Sequence, residues 1–434
     1  MKNRKLLNLL LSSTILISFC AQPSQSATKN RLSQNKQVSS QGPELDRAYI
    51  QKILDNVDKK IVKSIYSEKL ATEVWPKSLA ENKEKILASK TLVELQERMT
   101  AALAPLNSSH LNFVTKNDPM MFYLMALFGD IQRVSRDLKE NYTGFVTGGA
   151  GFAHNRVRYV VDNSPAAKAG ICIGDIILRV DNEPYSGLLN FKAKNKQTIE
   201  IEREGHKQKV SLTPILANYY DEYNQALEKS ATILNEGGKK IGYVHVWGGG
   251  APTHDLFDIV LSHKLHSADG LILDMRDGYG GNSLDDLDRF FRKSENYPDF
   301  VAITRRGKKQ VIRYVFDKPV VALINKGSRS GKEILAYTLK KTKRAKLVGD
   351  TTGGAVLGGS FHYIDPNCAL YLPIIDVKID GVRIEGVGVE PDVHLENKDK
   401  TQAGYDKQLN EAKRILLDEI ESKQTNQTQE KAAG

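Results

Sequence analysis

Leu45, Tyr49, Ile50, Ile53, Leu54 and Val57 recur at the spacing of one apolar helix face. Pattern and propensity extend a helical reading to about Leu103, with a break near Pro76. Residues 110–115 read as a short extended piece. The texture changes near Tyr142. Residues 157–161 and 176–180 are strand-like, separated by the turn Asn163-Ser164-Pro165 and a short helix over 166–170 closed by glycine. Asp181-Asn182 marks a turn, and 198–203 and 209–212 alternate as hairpin strands around Glu204-Gly205. From Lys239 onward, strands (241–246, 270–273, 320–324, 345–348) interleave with helices (256–265, 283–292, 331–342), which is α/β patterning. Asp380-Gly381 predicts a hairpin between 374–379 and 382–384. Residues 407–422 form an amphipathic segment, and the Gln- and Lys-rich end from Gln424 predicts disorder.

The chain has 434 residues, 40% hydrophobic and 26% charged, the balance of a globular protein of two or three domains. Its net charge of +10 is not gathered into basic runs interleaved with aromatics, which argues against nucleic acid as a partner. Lys2, Arg4 and Lys5 precede an apolar stretch from Leu6 to Phe19, too short to span a membrane comfortably, and Ser24, Ser26 and Ala27 offer a cleavage site. An export signal over 1–27 is expected, and with it a periplasmic or secreted location. Phe19 is bulky for the position before a lipidated cysteine, so anchoring through Cys20 is disfavoured. Cys172 and Cys368 fall in different expected domains, and buried free thiols are expected. The expected organisation is a signal peptide (1–27), a disordered linker (28–43), a helical region (44–140), a β-rich module (141–216), an α/β core (217–397), and a C-terminal helix with a disordered tail (398–434).

Zinc-helix, P-loop and G-x-S-x-G motifs are missing, and His245, His254, His263 and His266 lack metal-ligand spacing, so no metal or nucleotide cofactor is expected. The run Leu271-Ile-Leu-Asp274-Met-Arg276-Asp-Gly278-Tyr-Gly280-Gly281 is an apolar strand ending in acid, base and glycines. Ligands of open α/β sheets sit beyond such strand ends, and glycines there present N–H donors. A second strand, 320–324, runs into Asn325-Lys-Gly-Ser-Arg-Ser330-Gly331-Lys332-Glu333, with Ser330 at a predicted helix start. A serine there gains from the helix N-terminus as a nucleophile. Ser330 with Glu333 also matches a capping box, which needs no catalysis. The residues alone leave both readings open.

Taken together and in order, four motifs resemble the tail-specific (carboxyl-terminal processing) and tricorn-core serine proteases. They are Asp274-x-Arg276-x-x-x-Gly280-Gly281, Gly327-Ser-x-Ser330-Gly-x-Glu333, Val348-Gly349-Asp-Thr-Thr-Gly353-Gly354-Ala355, and Glu385-Gly-Val-Gly388-Val-x-Pro391-Asp392. The stretch Asn163-Ser-Pro-Ala-Ala-x-Ala169-Gly-Ile-x-x-Gly174-Asp175 resembles the PDZ domain these proteases carry. The resemblance implies an α/β protease core with a mixed sheet and flanking helices, of the ClpP/crotonase-like kind, with an inserted PDZ-like domain. It also implies protein or peptide substrates, and it is compatible with a homo-oligomer.

The carboxyl-terminal processing branch uses a Ser–Lys dyad, yet Gly354 stands where its lysine belongs. The tricorn-like branch takes a histidine from a Ser-His pair and a glutamate near the end of the core. By that resemblance Ser330 is the nucleophile, His110 its base, Glu385 the orienting carboxylate and Ser109 a relay. Gly331 with Gly280 or Gly281 would form the oxyanion hole. Gly149, Gly151 and Phe152 would grasp a peptide's terminal carboxylate. A mildly perturbed His110 would titrate near about pH 6 to 7. Lys332 is the competing base, although i,i+2 residues of a helix do not face each other. Rival readings are an inactive PDZ scaffold and a carrier of apolar ligands on the same fold.

Overall fold

The computed structural model describes residues 45–132, 138–148, 154–281, 289–291, 300–303, 305–307, 309–312, 315–396 and 406–433. The expected signal peptide and linker lie outside these residues, as do Gly149, Gly151, Phe152 and most of the expected helix 283–292.

Three α-helices open the described residues: Arg47–Ser64, Trp75–Leu87 and Leu92–Leu103. Asp46 caps the first and Thr91 the third, each side chain accepting a first-turn N–H. Pro76 is the second residue of the second helix, which continues directly from the π-helical turn Leu70–Val74, so the expected break near Pro76 is a change of helical pitch. Their apolar faces bury Ile50, Leu54, Ile61, Trp75, Leu95 and Met99 against Phe113, Leu370 and Leu372. The last three residues belong to a three-stranded sheet in which Cys368–Ile375 lies between Asn112–Thr115 and Gly358–Asp365. Asn112 pairs with Tyr371, so the segment just after His110 is stitched to the C-terminal part of the core.

The helix Pro119–Gln132 carries no apolar stripe because Met121 through Ala126 are all buried. It escaped periodicity for that reason.

The core sheet has six strands in the order Thr232–Glu236, Lys239–His245, Gly270–Asp274, Val320–Ile324, Lys346–Gly349, Val393–His394. The first pair is antiparallel and the rest parallel, which makes the sheet mixed. Parallel strands covered on both faces read as continuous apolar runs. Val320, Ala322 and Ile324 pack with Leu335, Ala336 and Leu339 of the helix Gly331–Lys341. Val321 and Leu323 pack on the other face with Ala412, Ile415 and Leu416 of the helix Lys407–Ala433.

Two expectations change. The end beyond Gln424 is helical to Ala433, because Gln, Lys, Glu and Ala are good helix formers once a docked helix leads into them. The predicted hairpin at Asp380-Gly381 reduces to a turn closed by the single bridge Ile379↔Val382. The apolar residues at 374–375 finish the strand of a longer hairpin, Gly358–Asp365 with Cys368–Ile375.

The inserted module has a four-stranded sheet, order Glu183–Pro184, Ile176–Val180, Gln197–Arg203, His206–Leu212, and a strand pair Phe145–Thr147 with Val157–Val160. Ser164 caps the short helix Pro165–Lys168, and Gly170 follows at φ 75°. The module meets the core through aromatics, Tyr159 packing on Trp247 and Tyr279. Asp162 also accepts from His245 Nδ1 and Trp247 Nε1. Cys172 is half-buried and Cys368 buried, both as free thiols. No helix among the described residues is long and apolar enough to cross a membrane.

Arg276, 3% exposed, binds Asp274, which has no exposure, and reaches Asp406 and Gln408 at the C-terminal helix. Removing one partner strands the other's charge in the core. Arg276→Ala is therefore expected to lower the unfolding free energy by about 3–5 kcal/mol in chemical denaturation.

Candidate active site

The strand Val320–Ile324 delivers the chain into a tight turn. Asn325 Oδ1 accepts from Gly327 N at 2.8 Å and from Asp277 N at 3.0 Å. The buried Ser328 hydroxyl donates to the Met275 carbonyl at 2.8 Å. These bonds join the two glycine-bearing loops that the sequence singles out. Ser330 then adopts φ 56° and ψ −124°, left-handed backbone that a non-glycine residue occupies only under constraint. Such strain costs on the order of 1–3 kcal/mol and concentrates at functional sites.

Glu333 supplies the constraint. Its carboxylate, with no exposure, accepts from Thr352 Oγ1 at 2.6 Å, Gly354 N at 2.7 Å, Ala355 N at 2.7 Å and Ser330 N at 3.1 Å. Burial raises its pKa, and these donors oppose the rise. The capping-box reading thus holds in its glutamate half. The Glu333 N–H goes to the Ser330 main-chain oxygen at 2.8 Å.

His110 stands two residues before the strand Asn112–Thr115, in a loop where Asn107 and His110 both take positive φ, 41° and 58°. Its ring lies 5.4 Å from that of Tyr371. Nδ1 is 2.9 Å from Ser109 Oγ, and Ser109 Oγ donates to Glu385 Oε2 at 2.9 Å. A hydroxyl has one proton. With that proton directed at Glu385, His110 must carry its own on Nδ1, which leaves Nε2 as the basic nitrogen. Glu385 is fixed by three further donors: Ser109 N at 3.1 Å, Val356 N at 2.7 Å and Leu357 N at 3.3 Å. Burial draws the His110 pKa down to about 4, Glu385 opposing the shift and Arg329 adding to it. The expected value near 6 to 7 gives way to this lower one because the imidazole is desolvated.

The chain of contacts reaches Ser330 through adjacent residues. Ser330 N donates to Ala355 O at 2.8 Å, and the next residue, Val356, donates to Glu385. No hydrogen bond joins His110 to Ser330 here. Such bonds are often loose before substrate binds.

Lys332 makes its side-chain hydrogen bond to another loop. It is 4% exposed and donates from Nζ to the Asp277 carbonyl at 2.6 Å, bracing the loop before Gly280. Burial lowers its pKa to about 7. Gly354 has φ 62°, and a Cβ there would meet Val387 N at 2.9 Å, so a lysine does not fit this backbone.

Gly280 lies against Ser330: a Cβ on it would be 2.5 Å from Ser330 Cβ. Gly331 is buried as the first helical residue after Ser330. Gly281 packs instead on Gly249, where a Cβ would come within 2.5 Å of the Gly249 Cα. Sequence reasoning missed Glu333 as the organiser of the turn, although its i+3 spacing from Ser330 was visible. It also missed Tyr371, for which no local signal exists.

The comparisons with known proteins concern the family and the fold. The family model described as "Peptidase family S41" matches residues 240–395, and a PDZ domain model matches 156–192. A tricorn-like protease C-terminal subunit of Sulfurisphaera tokodaii is 30% identical over 279 residues, covering 60% of this chain and 31% of that one. The chain therefore spans about a third of that relative's length. A carboxy-terminal-processing protease of Bartonella bacilliformis is 27% identical over 326 residues, covering 67% of this chain and 70% of that one. The solved photosystem II D1 C-terminal processing protease shares the fold, with a TM-score of 0.50 at 19% identity over 80% of this chain and 94% of that one. With a mixed core sheet carrying the Ser330 turn and a PDZ module packed on it, the chain carries an S41 peptidase region over residues 240–395 and a PDZ domain over 156–192.

Proposed function

We propose that the chain is an exported serine endopeptidase that cleaves proteins or peptides through an acyl-enzyme. The observation that carries this reading is the relay Glu385–Ser109–His110, tied by adjacent residues to the strained Ser330 turn. Neutral His110 takes the Ser330 proton through Nε2 as the hydroxyl attacks the scissile carbonyl. Glu385, acting through Ser109, holds the tautomer and stabilises the imidazolium that forms. The Gly280 and Gly331 N–H groups receive the developing oxyanion. His110 returns its proton to the leaving amine, and water then hydrolyses the ester by the same route. The PDZ domain recruits substrate, its terminal carboxylate held by Gly149, Gly151 and Phe152.

Export rests on the basic start and short apolar run of the sequence. The mature N-terminus is expected between Ala21 and Lys29. Intact-mass analysis that finds Met1 retained in the folded, active protein would remove this part of the proposal.

Ser330→Ala should abolish peptide hydrolysis and labelling by a fluorophosphonate. His110→Ala should cost about 10²–10⁴-fold in kcat. Lys332→Met, checked for folding, should keep a measurable fraction of turnover. Full activity in His110→Ala with none in folded Lys332→Met would transfer the base to the lysine.

A further inference from the structure

The strand Lys239–His245 leads into Trp247-Gly248-Gly249-Gly250. Neither the four motifs nor the relay accounts for three glycines in a row there, and such a run loses more conformational freedom on folding than any other tripeptide. What the glycines permit is a backbone-to-backbone contact with the loop that carries Gly280. Tyr279 N donates to the Trp247 carbonyl at 2.8 Å, and a Cβ on Gly278 would collide with that same oxygen. Further along, a Cβ on Gly249 would lie 2.8 Å from Gly281 Cα and 3.1 Å from Gly280 O. Gly280 in turn lies against Ser330. A contact made of glycine backbone has no side chains to interlock, so its register is set from outside.

Tyr220 is placed to set it. This buried residue stands in the first turn of the helix Tyr219–Ser230 and donates from Oη to the Gly249 carbonyl at 3.1 Å. A Cβ on Gly250 would come within 2.7 Å of the same Oη, so the hydroxyl is seated directly on the glycine run. The hydroxyl is itself held. Its oxygen accepts from Thr253 N at 3.3 Å, and Thr253 Oγ1 lies 2.9 Å from it and 2.6 Å from Asn224 Oδ1. The facing loop is steadied as well: the Tyr123 ring stacks on that of Tyr279, the residue before Gly280, with centroids 4.1 Å apart. Oxyanion donors act only where their positions are fixed before the charge develops, and a misplacement of about 1 Å can cost about 10²-fold in rate.

We propose that Tyr220 is a positioning residue for the oxyanion hole, its hydroxyl fixing through Gly249 where Gly280 stands against Ser330. The assignment rests on the serine-peptidase reading. Its loss is felt by the tetrahedral state rather than by bound substrate, because the displaced donor meets the reacting oxygen only as charge forms on it.

Tyr220→Phe removes the hydroxyl and keeps the buried ring. Tyr219→Phe is the matched control, since it removes a hydroxyl from the same helical turn that donates to the Asn141 carbonyl at 2.6 Å, a residue of neither loop. Folding of every variant is checked by chemical denaturation. On the full chain, kcat and KM are measured with a short peptide carrying a chromogenic amide. Inhibition is measured with a peptidyl aldehyde, whose hemiacetal with Ser330 places an oxygen in the oxyanion hole. Tyr220→Phe is expected to lower kcat about tenfold, to leave KM within about twofold, and to weaken the aldehyde by about the factor lost in kcat/KM. Tyr219→Phe is expected to keep the wild-type kcat. Gly249→Ala, whose methyl would meet Gly281 and Gly280 first, should reproduce the loss in kcat. Wild-type kcat in Tyr220→Phe or in folded Gly249→Ala overturns the proposal, as does an equal loss in both tyrosine variants or a loss carried by KM alone. No hydrolysis and no Ser330 labelling in the wild type would instead remove the peptidase reading, and the Tyr220 assignment with it.

Discussion

Glu333 lies wholly out of water, yet its carboxylate collects donors from two separate segments, the Ser330 turn and the stretch Thr352–Ala355. The strained backbone of Ser330 is affordable only because this knot over-determines it. The same knot sets the path of the chain into Val356, whose N–H holds Glu385, and Glu385 holds Ser109 beside His110. Ser330 and His110 come from segments far apart in the sequence. Their alignment is therefore a matter of loop registration, enforced by buried charge-assisted hydrogen bonds.

The same packing explains why a lysine dyad is absent. The backbone at Gly354 turns through positive φ against 386–388, leaving no room for a side chain. Lys332, though buried and carrying a lowered pKa, spends its ammonium group on the Asp277 carbonyl. Its place is under the loop that presents Gly280, where it braces the wall of the site. A perturbed pKa near a nucleophile is thus compatible with a structural role.

Much of the fold was legible because its signals are local. The strand Val320–Ile324 is a continuous apolar run, and the hairpin at Glu204-Gly205 has the positive φ at both turn residues that its sequence announces. The helix Pro119–Gln132 was illegible because burial on every side erases periodicity. The hairpin at Asp380-Gly381 was over-read because turn chemistry fixes the turn and says nothing about how far pairing extends. At the site, Ser330 and Glu385 lie in the ordered motifs, and Ser109 and His110 came from the Ser-His pair of the tricorn-like resemblance. What no motif carried was long-range electrostatics: the desolvation of His110 and the load on Glu333.

The two competing bases differ in when they lose their lone pair. His110 is held to about 4, whereas Lys332 is held to about 7. Each acts only when deprotonated, so the rate falls as pH drops through the pKa of whichever group is the base. The pH dependence of Ser330 phosphonylation, followed from pH 9 to pH 3 over the range in which the protein stays folded, separates them directly. Reactivity that persists through neutrality and declines only towards about pH 4 is the predicted result. An acid limb centred near pH 7 that disappears in Lys332→Met would contradict the account and place the proton on the lysine.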